Sequence, residues 1–157
     1  MRVIVLSDSH GRFDLLKRAA LQYPADLVIH LGDHATDAVR LQREISVPVE
    51  YVRGNCDAFG PPEEKLIQVG GKKLLITHGH RYHVKSGVGE LSLRMKELGA
   101  HAALYGHTHI PGYMFHNGGL LLCPGAICGN RTNRESGFAV LEWKTGGQIY
   151  VQMTELL

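Results

Sequence analysis

The first 33 residues, MRVIVLSDSHGRFDLLKRAALQYPADLVIHLGD from Met1 to Asp33, decide the fold class. A short apolar run, Val3 to Leu6, stops at Ser7 and Asp8. A second, Leu27 to Leu31, stops at Gly32 and Asp33. Between them DLLKRAALQY (14–23) carries its apolar residues at helical spacing. Strand, helix, strand in that order is the pattern of a parallel β-α-β unit. The alternation continues outward, with a helix predicted in DAVRLQREI (37–45) and a strand in VEYVRG (49–54). The opening third therefore predicts an α/β domain with a largely parallel sheet.

The pattern changes at KLIQVGGKKLLITH (65–78), where two strand-like runs joined by Gly70-Gly71 predict a hairpin. A helix is predicted over SGVGELSLRMKELG (86–99), with Ser86 as N-cap and Gly99 as stop. After HAALYG (101–106), two more hairpins are predicted, turning at Asn117-Gly118 and at Gly146-Gly147, so the C-terminal third reads as mostly antiparallel. With 157 residues and no repeat or linker, residues 1–157 read as one domain. Trp143, Tyr150 and Val151 suit either the core or a homo-oligomer contact.

Bulk properties exclude more than they assign. Lys plus Arg number 17 against 15 Asp plus Glu, a formal charge of +2, so no long nucleic acid or membrane surface is expected as a partner. The apolar N-terminal run is too short for a signal-peptide core or a membrane span, and a cytoplasmic location is expected. Three cysteines, Cys56, Cys123 and Cys128, make no disulfide framework. Cys123 and Cys128 have no second thiolate pair, so core packing is expected of them. Histidine stands out, with 10 in the chain.

Five apolar runs end in a residue able to bind a metal: Asp8, Asp33, Asn55, His78 and His107. Ligands of open α/β sheets bind beyond the carboxyl ends of the strands, so five segments aim at one edge. His10 and His109 lie two residues beyond such ends, where an extended chain would point them the same way as Asp8 and His107. Oxygen and nitrogen donors without thiolate favour manganese, iron, zinc or related divalent ions. Seven donors exceed one tetrahedral ion and suit two ions about 3.5–4 Å apart, an arrangement that hydrolyses phosphate esters. Taken singly, Asp8 or Asp33 could equally cap the following helix, and Asn55 could be a turn residue. His30, His101 and His116 have no partner motif and read as core or surface residues. His34, His80 and His83 stand open between pocket and loop.

The blocks DSH (8–10), GD (32–33), GNCD (54–57), THGH (77–80) and GHTH (106–109) together resemble the calcineurin-like metallophosphoesterase superfamily, most nearly its small single-domain YfcE-type phosphodiesterases. The resemblance implies a two-sheet αββα sandwich with mixed parallel and antiparallel strands. It implies two divalent metal ions, manganese first, with iron, nickel, zinc or cobalt as alternatives. Asp8, His10 and His109 would hold one, Asn55, His78 and His107 the other, with Asp33 bridging. It implies hydrolysis of a small or nucleotide-like phosphodiester by a hydroxide held between the ions.

Two departures bear on mechanism. Many relatives carry histidine within the block that here reads Gly-Asn-Cys-Asp, paired with the aspartate and helping the leaving group depart. Cys56 stands there beside Asp57, and a thiol is a poorer proton donor than an imidazolium. With Asp33 and Asn55, Cys56 and Asp57 complete the catalytic set implied, and His34 or His80 are substitute acids. The second departure is LCPGAICGNR (122–131), where Cys123 and Ala126 replace the family's usual asparagine and serine. Arg131 and Arg134, just beyond, suit either a substrate phosphate or a solvated loop.

A non-catalytic alternative exists, because the superfamily includes a retromer trafficking subunit that serves as an interaction scaffold with an impaired metal site. None of the seven donors is replaced here, which argues for catalysis. A nuclease or protein phosphatase would need insertions for which this chain has no room.

Overall fold

In the computed structural model, the structure describes residues 1–129 and 135–156. Arg131 and Arg134 fall outside them. Sheet A has the order β10-β9-β1-β2-β3 and sheet B the order β4-β5-β6-β8-β7. In chain order the elements are β1 (Arg2–Leu6), α1 (Phe13–Leu21), β2 (Leu27–His30), α2 (Ala35–Glu44), β3 (Val49–Tyr51), β4 (Glu64–Val69) and β5 (Lys72–Thr77). Then come α3 (Gly89–Glu97), β6 (Ala102–Leu104), β7 (Gly112–His116), β8 (Gly119–Cys123), β9 (Gly137–Glu142) and β10 (Tyr150–Glu155).

Strands buried on both faces build the layers. Val3 and Val5 of β1 face Leu74 and Ile76 of β5 and Leu104 of β6 in the core between the sheets. Ile4 and Leu6, pointing the other way, pack under α1 and α2 with Leu16, Ala38 and Leu41. On the far side, Leu75, Ala103 and Leu121 pack under α3 through Leu91 and Met95. The result is the expected αββα sandwich, in which each fully buried leucine contributes about 1.5–3 kcal/mol.

Parallel pairs β1–β2 and β2–β3 and the hairpins β4–β5, β7–β8 and β9–β10 follow the sequence reading. The C-terminal third holds one surprise. The β7–β8 hairpin inserts β8 parallel to β6, so β7 becomes the edge strand of sheet B. The helix expected over 86–99 starts only at Gly89, after Val88 and without a side-chain cap, so Ser86 is not its N-cap. Gly87 at φ +147° breaks the chain between Ser86 and the helix. Gly99 does end it, at φ +60°, with Ala100 N–H returning to Met95 O at 3.0 Å. Trp143 lies in the core with its indole N–H on Gly70 O at 2.9 Å, Val151 packs against that core, and Tyr150 is exposed.

Candidate metal centre

The carboxyl ends of β1, β2, β5 and β6 are tied together by backbone. Asp8 N–H donates to Gly32 O at 3.0 Å, Gly106 N–H to His78 O at 3.0 Å, and Ile127 N–H to Ser7 O at 2.9 Å. The chain then leaves the strands in an unusual way. Asp8, His10, Asp33, His34, His107 and His109 all have positive φ, between +44° and +75°. Non-glycine residues pay for that conformation, and such outliers gather where a site needs them. The expectation that His10 and His109 reach the site by strand alternation is thereby corrected. Left-handed turns aim them there.

Each of the seven expected donors faces this crevice. His109 Nε2 lies 3.1 Å from Asp8 Oδ1, and the Nε2 atoms of His10 and His78 each lie 3.9 Å from it. Asp33 reaches both sides, with Oδ2 3.6 Å from His10 Nε2 and Oδ1 3.4 Å from His78 Nε2. His78 Nε2 is 3.0 Å from Asn55 Oδ1. The rings fall into two couples, His10 with His109 at 5.4 Å and His78 with His107 at 5.0 Å. These couples match the ligand division that the family resemblance implies.

The donor atoms fit cations. Asp8 is fully buried; its Oδ2 accepts from Ser7 Oγ at 2.5 Å and His107 N–H at 3.1 Å, while its Oδ1 has no hydrogen-bond partner. An orphaned buried carboxylate oxygen is costly unless a positive ion meets it. His78 places Nδ1 2.8 Å from Leu31 O. With the proton on that nitrogen, Nε2 is left free to ligate, the usual support of a metal-binding imidazole.

Two glycines make room for the carboxylates. A Cβ on Gly106 would stand 2.0 Å from Ser7 Oγ and 2.7 Å from Asp8 Oδ2, and one on Gly54 would stand 2.1 Å from Asp33 Oδ1. What approaches these glycines so closely is the ligand set itself.

Protonation follows the same geometry. Burial pushes the Asp8 carboxyl up, but contacts with His109, His78 and Ser7 outweigh it and hold the group below its usual range. Burial likewise opposes ionisation of Asp33, and His78 together with Cys56 N–H outweighs it. His109 is raised to about 10 by its contacts with Asp8 and Cys128. His107 is lowered to about 4, chiefly by burial and by His78. His78 is raised, since Asp33 and Asp8 overcome its burial.

Flanking residues divide clearly. Asp57 gives Oδ1 to the N–H groups of His34 (3.0 Å) and Ala35 (2.8 Å) and Oδ2 to Gly54 N–H (2.8 Å). It thus caps α2 from outside the helix, a task for which neither Asp8 nor Asp33 is used. Cys56 is exposed at the rim with its N–H on Asp33 Oδ1 at 3.0 Å, and burial together with Asp33 raises its thiol. His80 sits 5.5 Å from the His78 ring with Nδ1 buried and unpartnered, which makes it a site-rim residue. His34 stands near Asp37 (3.7 Å) and His83 near Glu90 (3.2 Å), both at the surface.

His30 is a core residue. It is wholly buried, with Nε2 3.1 Å from Ser9 Oγ and Nδ1 accepting from Gly32 N–H at 3.3 Å, and burial lowers it to about 4. His101 and His116 are likewise satisfied structurally, on Lys73 N–H and Ser92 Oγ. Cys123 packs in the core as expected. Cys128 does not, because its Sγ lies 3.9 Å from His109 Nδ1 and its N–H donates to Asp8 O. Sequence reasoning missed it, since the Ala126–Gly129 turn that brings it there depends on contacts with β1.

A fold of this kind with such a donor set defines a metal-dependent phosphoesterase class. The model of the calcineurin-like phosphoesterase superfamily domain matches residues 1–146, and the chain belongs to that family. It is 37% identical over 144 residues to the probable metallophosphoesterase YsnB of Bacillus subtilis, covering 90% of this chain and 83% of that protein. Among solved structures, a predicted phosphoesterase from Streptococcus pneumoniae superposes with a TM-score of 0.80 at 28% identity, covering 98% of this chain and 97% of its own. Vps29 of Entamoeba histolytica, solved with Zn2+, superposes over 100% of both chains with a TM-score of 0.76 at 19% identity, a likeness of fold.

Proposed function

We propose that the protein is a dinuclear metal-dependent phosphodiesterase acting on small or nucleotide-like phosphodiesters. The observation that carries the reading is Asp8 Oδ1, buried and unpartnered at the meeting point of three imidazoles. Asp8, His10 and His109 would hold one ion and Asn55, His78 and His107 the other, with Asp33 between them and manganese as the expected metal. When bound, such ions neutralise phosphoryl oxygens and lower the pKa of water.

The chain's own residues do the rest. Asp33 is held by Cys56 N–H with one oxygen toward each half of the site, so it keeps both halves in register. His78 is oriented through Leu31 O and Asn55. Cys56 stays a thiol at neutral pH, a weak proton donor, so the enzyme favours esters with good leaving groups. A cytoplasmic location fits three free cysteines and the lack, among the described residues, of a helix long and apolar enough to cross a membrane.

The test is hydrolysis of bis(4-nitrophenyl) phosphate by protein stripped of metal and then given manganese. Activity is expected to return with metal and to fall by about 10³-fold or more in Asp33→Asn. Folded protein inactive with every divalent ion would favour the interaction-scaffold reading instead.

A further inference from the structure

Beside the centre lies a cleft of about 920 Å³ that shares His107 and His109 with it and runs out along β7. Its far wall is apolar and uncovered. Ile110 is 69% exposed, Tyr113 49% and Met114 51%, on a strand that forms the free edge of sheet B. Val84 and Tyr105 line the opposite side, with Lys85 at the mouth. Three polar ends enter this apolar surface without a partner among the described residues: the Lys85 ammonium and the hydroxyls of Tyr105 and Tyr113. An apolar cleft with a few convergent polar groups is the form of a small-molecule site, and its size is within the usual range of about 300–1,000 Å³.

We propose that this cleft binds the organic group of the phosphodiester, a planar ring of aryl or nucleobase size, while Lys85 meets an anionic oxygen of the same ester. The inference rests on the phosphodiesterase reading and deepens it. Position selects the occupant, because an ester with its phosphorus at the metal centre leaves its substituent nowhere nearer than the groove beyond His107 and His109. The ring edges and faces of Tyr105 and Tyr113 and the Met114 thioether suit a flat partner. Contacts so close to the reacting centre raise kcat/KM for substrates that fill the cleft.

Two esters with one leaving group separate this from the underlying chemistry: 4-nitrophenyl thymidine 5′-phosphate and methyl 4-nitrophenyl phosphate. In each, water adds to phosphorus, the bond to 4-nitrophenolate breaks and one proton is released. With manganese-loaded protein, kcat/KM is expected to favour the thymidine ester by about tenfold or more. Tyr113→Ala and Lys85→Met should shrink that ratio, whereas Leu93→Ser, at an exposed position on α3 outside the cleft, should leave it alone. In metal-free protein with labelled methionine methyls, the thymidine ester should shift the Met114 signal.

Equal rates on both esters, or a ratio unmoved by Tyr113→Ala, would overturn the cleft while leaving the phosphodiesterase standing. Manganese-independent failure on both esters would overturn the two together. A dimer that dissociates in Tyr113→Ala with an unchanged ratio would also overturn the cleft, assigning β7 to a second copy of the chain.

Discussion

The two ends of the sandwich reverse the chain in opposite ways. At the amino ends of β5 and β8, the reversals fall on Gly70-Gly71 and Asn117-Gly118, residues that accept positive φ at little cost, and Trp143 Nε1 and the Met1 ammonium are both satisfied there by backbone carbonyls. At the carboxyl ends, aspartates and histidines take the same backbone conformation and leave Asp8 Oδ1 orphaned. Ordinary turn chemistry would have placed glycine or asparagine at those positions too. The difference separates a stable end from one that has given up local stability for donor placement.

The largest break in that contrast should come from Gly106→Ala. The added methyl would collide with Ser7 and Asp8, and manganese-dependent hydrolysis should fall by about 10²-fold or more, with folded protein confirmed by circular dichroism. Gly54→Ala, which crowds Asp33 Oδ1, should weaken manganese binding by about 10–100-fold in a calorimetric titration.

Proton linkage sharpens the contrast. His109, raised to about 10, is protonated in metal-free protein at neutral pH and must lose that proton to ligate. Manganese binding should therefore release a proton, and apparent affinity should rise with pH by about tenfold per unit up to that value. For the metal-free fold the sign is opposite. A raised folded pKa contributes stability in full below the unfolded value of about 6.5, and that contribution disappears as pH climbs through about 10. Urea midpoints of metal-free protein should accordingly fall from pH 6.5 to pH 9.5, and a flat profile would deny the Asp8–His109 contact. The smallest effect belongs to the other end. Asn117→Ala should cost about 1–2 kcal/mol in urea unfolding and leave hydrolysis unchanged.

Much of this was legible because polar residues at the ends of apolar runs have few structural uses, so Asp8, Asp33, Asn55, His78 and His107 marked one edge before any coordinates. The hairpins announced themselves through Gly70-Gly71 and Asn117-Gly118. What sequence could not carry was non-local. Nothing in residues 119–123 says that β8 will pair parallel with β6, and nothing near Asp57 says that it will cap a helix 22 residues earlier in the chain. Cys128 reaches His109 only because backbone hydrogen bonds to Ser7 and Asp8 hold its turn. Ser86 failed as a cap because two glycines beside it offered the chain other conformations.

The most direct test of the account is manganese stoichiometry by calorimetry in the parent and in Asp8→Asn, both shown to be folded. Two ions per chain in the parent, and the loss of at least one in the variant, would establish the buried Asp8 oxygen as a ligand. Unchanged stoichiometry and affinity in Asp8→Asn would contradict it.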